Sequence, residues 1–470
     1  MYKKLTRQEI SGIMSEYSES LTKSEILRAM SEGGGRVYFI GVGGVSMRSL
    51  FCLCRHFGIM ASGSDRAGDE FINSLILSGE DIVIGERDSL PPDTRLIVYS
   101  HAIAREHPER LIGRREGIPE VSRDRLLGAL MECYEGRIGV SGGHGKSTTT
   151  AMIAEIFIDA EKSPTVLSGA PLAKRRLPFV IGSLDWLIYE GCEYKDSFLS
   201  FSPTLSVFLN IELDHTDYFK NIEMLSESFL RAMKRAEKIL VNADDPRLLS
   251  LAIRSGVRTV TFGKAQFADY RYEMLKEKGE GLSFRLFYKD TELGVISLGM
   301  LGAFNISNAA AAIGAAMEEG IDFTRAAASL SEFHGIERRL EYIGDYTGRA
   351  LYYDYAHHPT EIRESILALR EKGAVTVVFR PHTYSRTADL LSGFVSSLSL
   401  ADSVIMLDID AVREENVFGI SSERVAAEIG GIYCQSEDML PTLLEKTEGS
   451  IVLMGAGELR GAKKLLTKGK

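Results

Sequence analysis

The sequence predicts an α/β protein of parallel architecture, built from three successive strand-and-helix units. Two observations carry this expectation. Short apolar runs alternate along the chain with longer helical patterns, as in parallel sheets whose strands are joined by crossover helices. Three times such a run ends in glycine or polar residues and leads straight into a helix: at "GGGRVYFIGVGGVSMRSLFCLCRHFG", at "RIGVSGGHGKSTTTAMIA" and at "RALYYDYAHHPTEIRESILALREKG". At 470 residues the chain exceeds what one hydrophobic core accommodates, so each unit is expected to build its own.

Composition narrows the function classes. Hydrophobic residues make up 44% and charged residues 26%, close to the soluble globular average, which argues against a disordered or membrane-spanning chain. A net charge of -10 argues against a nucleic-acid partner, whose footprint is a basic patch, but leaves room for a nucleotide held by one lysine and a nest of N–H groups. The five cysteines have no repeated CxxC spacing and are odd in number, as expected of reduced thiols. The charged N-terminus has no apolar signal-peptide core, so a cytoplasmic location is expected. Residues 1–32 read as one or two amphipathic helices packed outside the first sheet.

In the first unit, "FIGVGGVSM" approaches a dinucleotide fingerprint, with Asp65 at the end of "ASGSD" where a ribose-binding acid would sit. Its sixth position is Ser46 rather than glycine or alanine. The residues alone leave three readings open: an NAD site, a site for another nucleotide's pyrophosphate, or close packing of helix on strand.

The second unit opens on a phosphate loop. A strict P-loop asks for glycine five positions before Gly145, where this chain has Val140. The turn Gly142, Gly143, His144, Gly145 still lets backbone N–H groups converge on an anion, and Thr148 to Thr150 open a helix whose positive end points at it. Lys146 would neutralise the β and γ phosphates, and Ser147 would offer a hydroxyl to Mg²⁺. Further on, Glu190 and Glu193 follow one apolar strand, and Glu212, Asp214, His215 and Asp217 follow another. Acids at strand ends beside a phosphate loop can supply the hard oxygen ligands that phosphoryl transfer needs, although singly such acids are more often solvated loop charges.

In the third unit, "ALYYDYA", "AVTVVF", "SVIMLDI" and "SIVLMGAG" read as strands whose polar or glycine ends mark a ligand face, and "MGAGE" as a packing turn. His357 and His358 could begin a metal site, but no third histidine or acid stands at ligand spacing.

"GVGGVSM", "SGSD", "HAIAREHPE", "SRDRLLGALM", "GHGKSTTT", "NIELDHTDYF", "NADDP", "LGAFNISNAAAA", "FHGIERRLEYIG", "DYAHHPTEI", "FRPHTYSRT" and "MGAGE" stand in the order and spacing of the Mur ligases, which the chain resembles from about Val37 onward. The resemblance implies three domains: a Rossmann-like UDP-sugar domain with the N-terminal helical extension (1–135), a central P-loop ATPase domain (136–342) and a Rossmann-like amino-acid domain (343–470). It implies ATP-dependent ligation of L-alanine to the carboxylate of UDP-N-acetylmuramate through an acyl phosphate, for peptidoglycan precursor synthesis. Attachment of a murein tripeptide to the same UDP sugar, or a silent nucleotide-binding regulator of the same fold, are the alternatives. An NAD-dependent oxidoreductase would leave "GHGKSTTT" without a role.

By the same resemblance, Gly41, Gly43 and Gly44 receive the UDP pyrophosphate, and Asp65, Ser100 and His101 complete that site. Gly142, Gly143, His144, Gly145, Lys146, Ser147, Thr148, Asn305, Asn308, Arg339 and Asp354 hold ATP. Ser147 and Glu193 hold one Mg²⁺ and His215 helps to hold a second. Lys146, Glu193, His215 and Arg339 serve phosphoryl transfer, while His357 and Arg386 position the alanine amine or carboxylate. The joint between Phe333 and Gly344 is expected to hinge, and the protein to act as a monomer or homodimer without nucleic acid or membrane. Several residues depart from the family pattern: Ser147 for threonine, Phe304 for histidine, Cys192 and Lys195 for acids, and Thr383 for an arginine found in some members.

Overall fold

The computed structural model describes residues 21–31, 34–172, 177–275, 281–412, 414–457 and 459–467. Three sheets follow one another along the chain. The first contains β1 (Arg36–Ile40), β2 (Met60–Asp65), β3 (Asp81–Ile84), β4 (Thr94–Tyr99) and β5 (Glu120–Ser122) in the order β3-β2-β1-β4-β5. Every pairing is parallel. Val37 to Ile40 are all buried, as a parallel strand covered on both faces requires. The order reverses between β1 and β4, and Gly41 leaves β1 at that crevice, where open α/β sheets receive ligands. The helix Lys23–Ser31 sets Ile26 and Met30 into the core of this unit. Most of the expected N-terminal extension, residues 1–20, lies outside the described residues.

The second sheet comprises β6 (Gly136–Ser141), β7 (Thr165–Leu167), β8 (Phe179–Val180), β9 (Trp186–Glu190), β10 (Leu205–Phe208), β11 (Lys238–Asn242), β12 (Arg258–Gly263), β13 (Tyr270–Leu275), β14 (Leu282–Tyr288) and β15 (Thr291–Leu298). Their order is β15-β14-β13-β12-β11-β10-β6-β9-β7-β8. The run from β13 to β7 is parallel, and antiparallel strands flank it on both sides. The phosphate loop leaves β6 near the centre, between β10 and β9, which deliver the two acidic segments. The helix Lys146–Asp159 is buried from Ser147 to Phe157 and packs on the alanine-rich helix Phe304–Glu318, whose small side chains let the two approach closely.

The third sheet contains β16 (Glu341–Tyr346), β17 (Arg349–Asp354), β18 (Val375–Phe379), β19 (Ser403–Met406), β20 (Ile432–Tyr433) and β21 (Ser450–Met454), ordered β16-β17-β21-β18-β19-β20. β16 is antiparallel to β17 and the other pairings are parallel. The four strands read from the sequence are β17, β18, β19 and β21. Separate apolar clusters cover the two faces of this sheet.

Candidate active site

The phosphate loop is shaped by a left-handed turn at Gly145, with φ of 83°. A Cβ at Gly145 would come within 2.6 Å of Oδ1 of Asn308, so only glycine lets the loop lie against that asparagine. Asn308 in turn donates to Oδ1 of Asn305 at 3.0 Å. Asn210, at the end of the "LSVFLN" run, clamps His144 from both sides: its Oδ1 accepts the His144 N–H at 2.9 Å and its Nδ2 donates to the His144 carbonyl at 3.0 Å.

Lys146 opens the helix that follows the loop. Its Nζ donates to the carbonyls of Gly142 and Gly143 and lies 3.3 Å from both oxygens of Glu193. Burial opposes the ammonium charge, yet Glu193, with Cys192 and Glu190 behind it, holds the Lys146 pKa above its ordinary value. Nε2 of His215 lies 3.9 Å from Oε1 of Glu193, and its ring leans on Tyr194 with centroids 4.6 Å apart. The His215 backbone is left-handed, with φ of 54°, and its N–H is accepted by Asp214 at 2.7 Å. The structure therefore gathers Lys146, Glu193 and His215 around one point. Ser147 lies buried one residue beyond Lys146.

Beside the loop, a cavity of about 390 Å³ opens between the second and third sheets. Its walls include His144, Gly145, Thr148, Phe304, Asn305, Asn308, Arg339 and Asp354. Phe304, the departure from the family histidine, offers this wall a ring without a hydrogen bond donor. Asp354 is buried and receives the Ser365 hydroxyl at 2.5 Å; burial pushes its pKa up to about 6 against the pull of Ser365 and Arg339.

Glu361 stands where the third sheet meets the loop. It lies 3.3 Å from both Nη1 of Arg339 and Nδ1 of His144, and it accepts the His357 N–H at 3.1 Å. Glu212 receives the Thr360 hydroxyl at 2.5 Å and lies 2.8 Å from Nε2 of His144. Held between two carboxylates, the His144 ring resists the penalty of burial, and its pKa rises to about 9. Arg386 pairs with Asp214 at 3.0 Å. Arg339 and His357 thus gather on Glu361, which reaches His144 of the phosphate loop, while Arg386 reaches Asp214.

The sequence pattern offered His357 and His358 no third metal donor. In space, His144, Glu212 and His358 do converge, with ligand atoms within 4.8 Å of one another, because the partners come from distant strand ends that linear spacing cannot register. The charge on His144 opposes metal binding there, since a protonated imidazole has no lone pair to give.

The first sheet holds its own candidates. Asp65 accepts the Gly43 N–H at 2.8 Å, and a Cβ on Gly43 would meet Asp65 at 2.9 Å, so acid and glycine loop are fitted to each other. Gly41 donates its N–H to Ser64, and Gly44 opens the helix Val45–His56. Ser100 follows β4 and closes a turn, its carbonyl accepting the Ile103 N–H; Nε2 of His101 lies 3.0 Å from Asp124, which also receives the hydroxyl of Ser200 from the second unit. Lys195, the departure in the acidic segment, donates to the His101 carbonyl at 3.4 Å.

Three family models match in succession: "Mur ligase family, catalytic domain" over 36–135, "Mur ligase middle domain" over 140–316 and "Mur ligase, glutamate ligase domain" over 338–457. A UDP-N-acetylmuramate–L-alanine ligase of Caldicellulosiruptor bescii is 36% identical over 450 residues, covering 92% of this chain and 98% of its own length. The chain belongs to the Mur ligase family. A second relative of the same name, from Aquifex aeolicus, is 37% identical over 433 residues, covering 90% of this chain and 95% of its own. Among solved structures, the UDP-N-acetylmuramate-alanine ligase of Thermotoga maritima superposes with a TM-score of 0.77 at 23% identity, over 92% of this Mur ligase and 98% of that chain. A murein peptide ligase from Psychrobacter arcticus gives 0.69 at 22% identity over the same shares. Both show the fold, with a Rossmann-like sheet at either end of a central P-loop domain.

Proposed function

We propose that this Mur ligase joins L-alanine to UDP-N-acetylmuramate at the expense of ATP. The observation that carries the reading is that two groups of residues adjoin: Lys146, Glu193 and His215 beside the phosphate loop, and the Arg339, His357 and Arg386 side, linked to it through His144–Glu361, Glu212–Thr360 and Asp214–Arg386. A carboxylate is a poor electrophile, so the muramyl carboxylate first takes the γ-phosphoryl group. The amine then attacks the acyl phosphate and phosphate leaves. The protein's part in the first step is positioning and charge neutralisation. Lys146 and Arg339 supply the cations, and the Gly142–Gly145 turn supplies the N–H groups.

The donors suit Mg²⁺: a Ser147 hydroxyl and a Glu193 carboxylate are hard ligands, with His215 beside them. Bound there, the ion would neutralise charge on the phosphates. Gly41, Gly43, Gly44, Asp65, Ser100 and His101 form the UDP-sugar side, and the cavity wall at Asn305, Asn308 and Asp354 the nucleotide side. The division at 135/136 is supported by β6 starting at Gly136, and the one at 342/343 by the third sheet, whose first strand draws that edge to Glu341. No helix of the described residues is long and apolar enough to cross a membrane. The five free cysteines suit the reducing cytoplasm, where nucleotide substrates are found.

The names of the relatives favour L-alanine over a murein tripeptide. A competition experiment tests this: with MgATP, UDP-N-acetylmuramate and equal L-alanine, glycine, L-serine and murein tripeptide, mass spectrometry should show chiefly the alanyl product. A dominant tripeptide product would reassign the amine.

A further inference from the structure

Glu361 is largely buried, and its two oxygens serve opposite halves of the site. Oε1 lies 3.3 Å from Arg339 and from His144, on the phosphate side. Oε2 accepts the backbone N–H of His357 at 3.1 Å and lies 3.4 Å from Nδ1 of the same ring. Nδ1 of His357 is also 3.0 Å from the carbonyl oxygen of Tyr355. A carbonyl and a carboxylate only accept, so Nδ1 carries the proton and a neutral ring keeps its lone pair on Nε2. Among the described residues, no hydrogen bond of His357 uses Nε2. The neighbouring ring has the opposite arrangement: Nδ1 of His358 accepts from the Thr360 N–H at 3.4 Å, so its Nε2 bears hydrogen and is buried.

We propose that Glu361 is a positioning residue that fixes His357 with Nε2 unprotonated, making His357 the base that takes the proton of the attacking L-alanine amine. The same carboxylate holds Arg339 and His144 through its other oxygen, so the phosphate side and the amine side are set by one group. The inference rests on the ligase reading above.

The step balances as follows. Alanine arrives as an ammonium and gives one proton to solvent. The neutral nitrogen attacks the acyl-phosphate carbon, the C–N bond forms and the nitrogen becomes cationic and strongly acidic. Nε2 of His357 takes that proton, the bond from carbon to the phosphate oxygen breaks, and phosphate leaves with the electron pair. His357 then returns its proton to solvent. A weak base suffices, because the nitrogen it serves is acidic only after attack. Burial, opposed by Glu361 and assisted by Arg386, brings the His357 pKa down to about 4, which keeps the ring neutral in the resting enzyme. Asp214, the other group that acts on this ring, is already paired with Arg386 and is held far below the ordinary carboxylate range.

Hydroxylamine separates this role from a structural one. It is neutral near pH 7, attacks acyl phosphates without assistance and reports the first half-reaction as a hydroxamate. With MgATP and UDP-N-acetylmuramate, His357→Gln should still form hydroxamate while L-alanine ligation falls about 10²-fold or more, the usual worth of a general base. Added imidazole should restore part of the ligation. Glu361→Gln should lower both reactions, because Arg339 and His144 lose their anchor. In ¹⁵N spectra, Nε2 of His357 should show the unprotonated shift in the wild type, and in Glu361→Gln the Nδ1–H signal should move as the Tyr355 carbonyl becomes its only acceptor; a protonated Nε2 in the wild type would overturn the base role. Equal loss of both reactions in His357→Gln, or full L-alanine ligation by it, would overturn the base role. A wild-type enzyme that makes neither hydroxamate nor alanyl product would sink the ligase reading instead, and this inference with it.

Discussion

Nη2 of Arg386 lies 3.0 Å from Oδ1 of Asp214, an ion pair that joins the third sheet to the strand end carrying His215. Asp214 holds in the resting enzyme the guanidinium expected to receive the alanine carboxylate. The pair ties the amino-acid side of the site to the segment that also carries His215.

Replacing Arg386 by lysine keeps the charge but loses the planar fork that matches a carboxylate. Arg386→Lys should raise KM for L-alanine by about 10- to 100-fold, the worth of one charged hydrogen bond, and leave UDP-sugar affinity unchanged. Steady-state kinetics with each substrate varied in turn checks this.

Lys146→Ala should abolish turnover while UDP-sugar binding persists, since Gly41, Gly43 and Asp65 belong to a different sheet. Removing a cation aimed at a transferring phosphoryl group costs on the order of 3 kcal/mol or more in the barrier. Calorimetric titration with the UDP sugar is the control, and loss of that binding would contradict the separation of the sites.

The seam should loosen at alkaline pH. His144, whose pKa rises from 6.5 to about 9, contributes stability that is fully present below pH 6.5 and lost as pH climbs through 9. Thermal melting between those limits should fall more steeply for the wild type than for His144→Gln, in which Glu212 and Glu361 lack the imidazolium at every pH.

Much of this site was legible in the sequence because local pattern reports local geometry. A strand, a glycine turn and a helix at "RIGVSGGHGKSTTT" announce a phosphate loop without any tertiary information, and four strands of the third sheet were readable as apolar runs. Glu361 was not legible as a hub: nothing in "DYAHHPTE" says that its carboxylate meets His144 from another sheet and Arg339 from the preceding joint. Asn210 was hidden in the same way, for a terminal asparagine on an apolar strand looks like a solvated end. The strands β13 to β15 were not legible, because a flank with one face toward solvent lacks the continuous buried apolar run that marks a central parallel strand.

The joint to the third sheet should act as a hinge. Gly335, Arg338 and Leu340 all adopt left-handed backbone, with φ of 101°, 60° and 46°, so the segment carrying Arg339 is held in a conformation that other contacts must maintain. An ATP analogue plus UDP-N-acetylmuramate should make the protein more compact in solution scattering than the free form. Identical profiles would indicate a preassembled site.

If phosphoryl transfer and amide formation share one assembled site, phosphate release from MgATP must depend on both of the other substrates. Sustained release should require UDP-N-acetylmuramate and L-alanine together, with one phosphate and one alanyl product per turnover. Equal release with every amine, release without the UDP sugar, or none with L-alanine would show that the two steps are not coupled at one site.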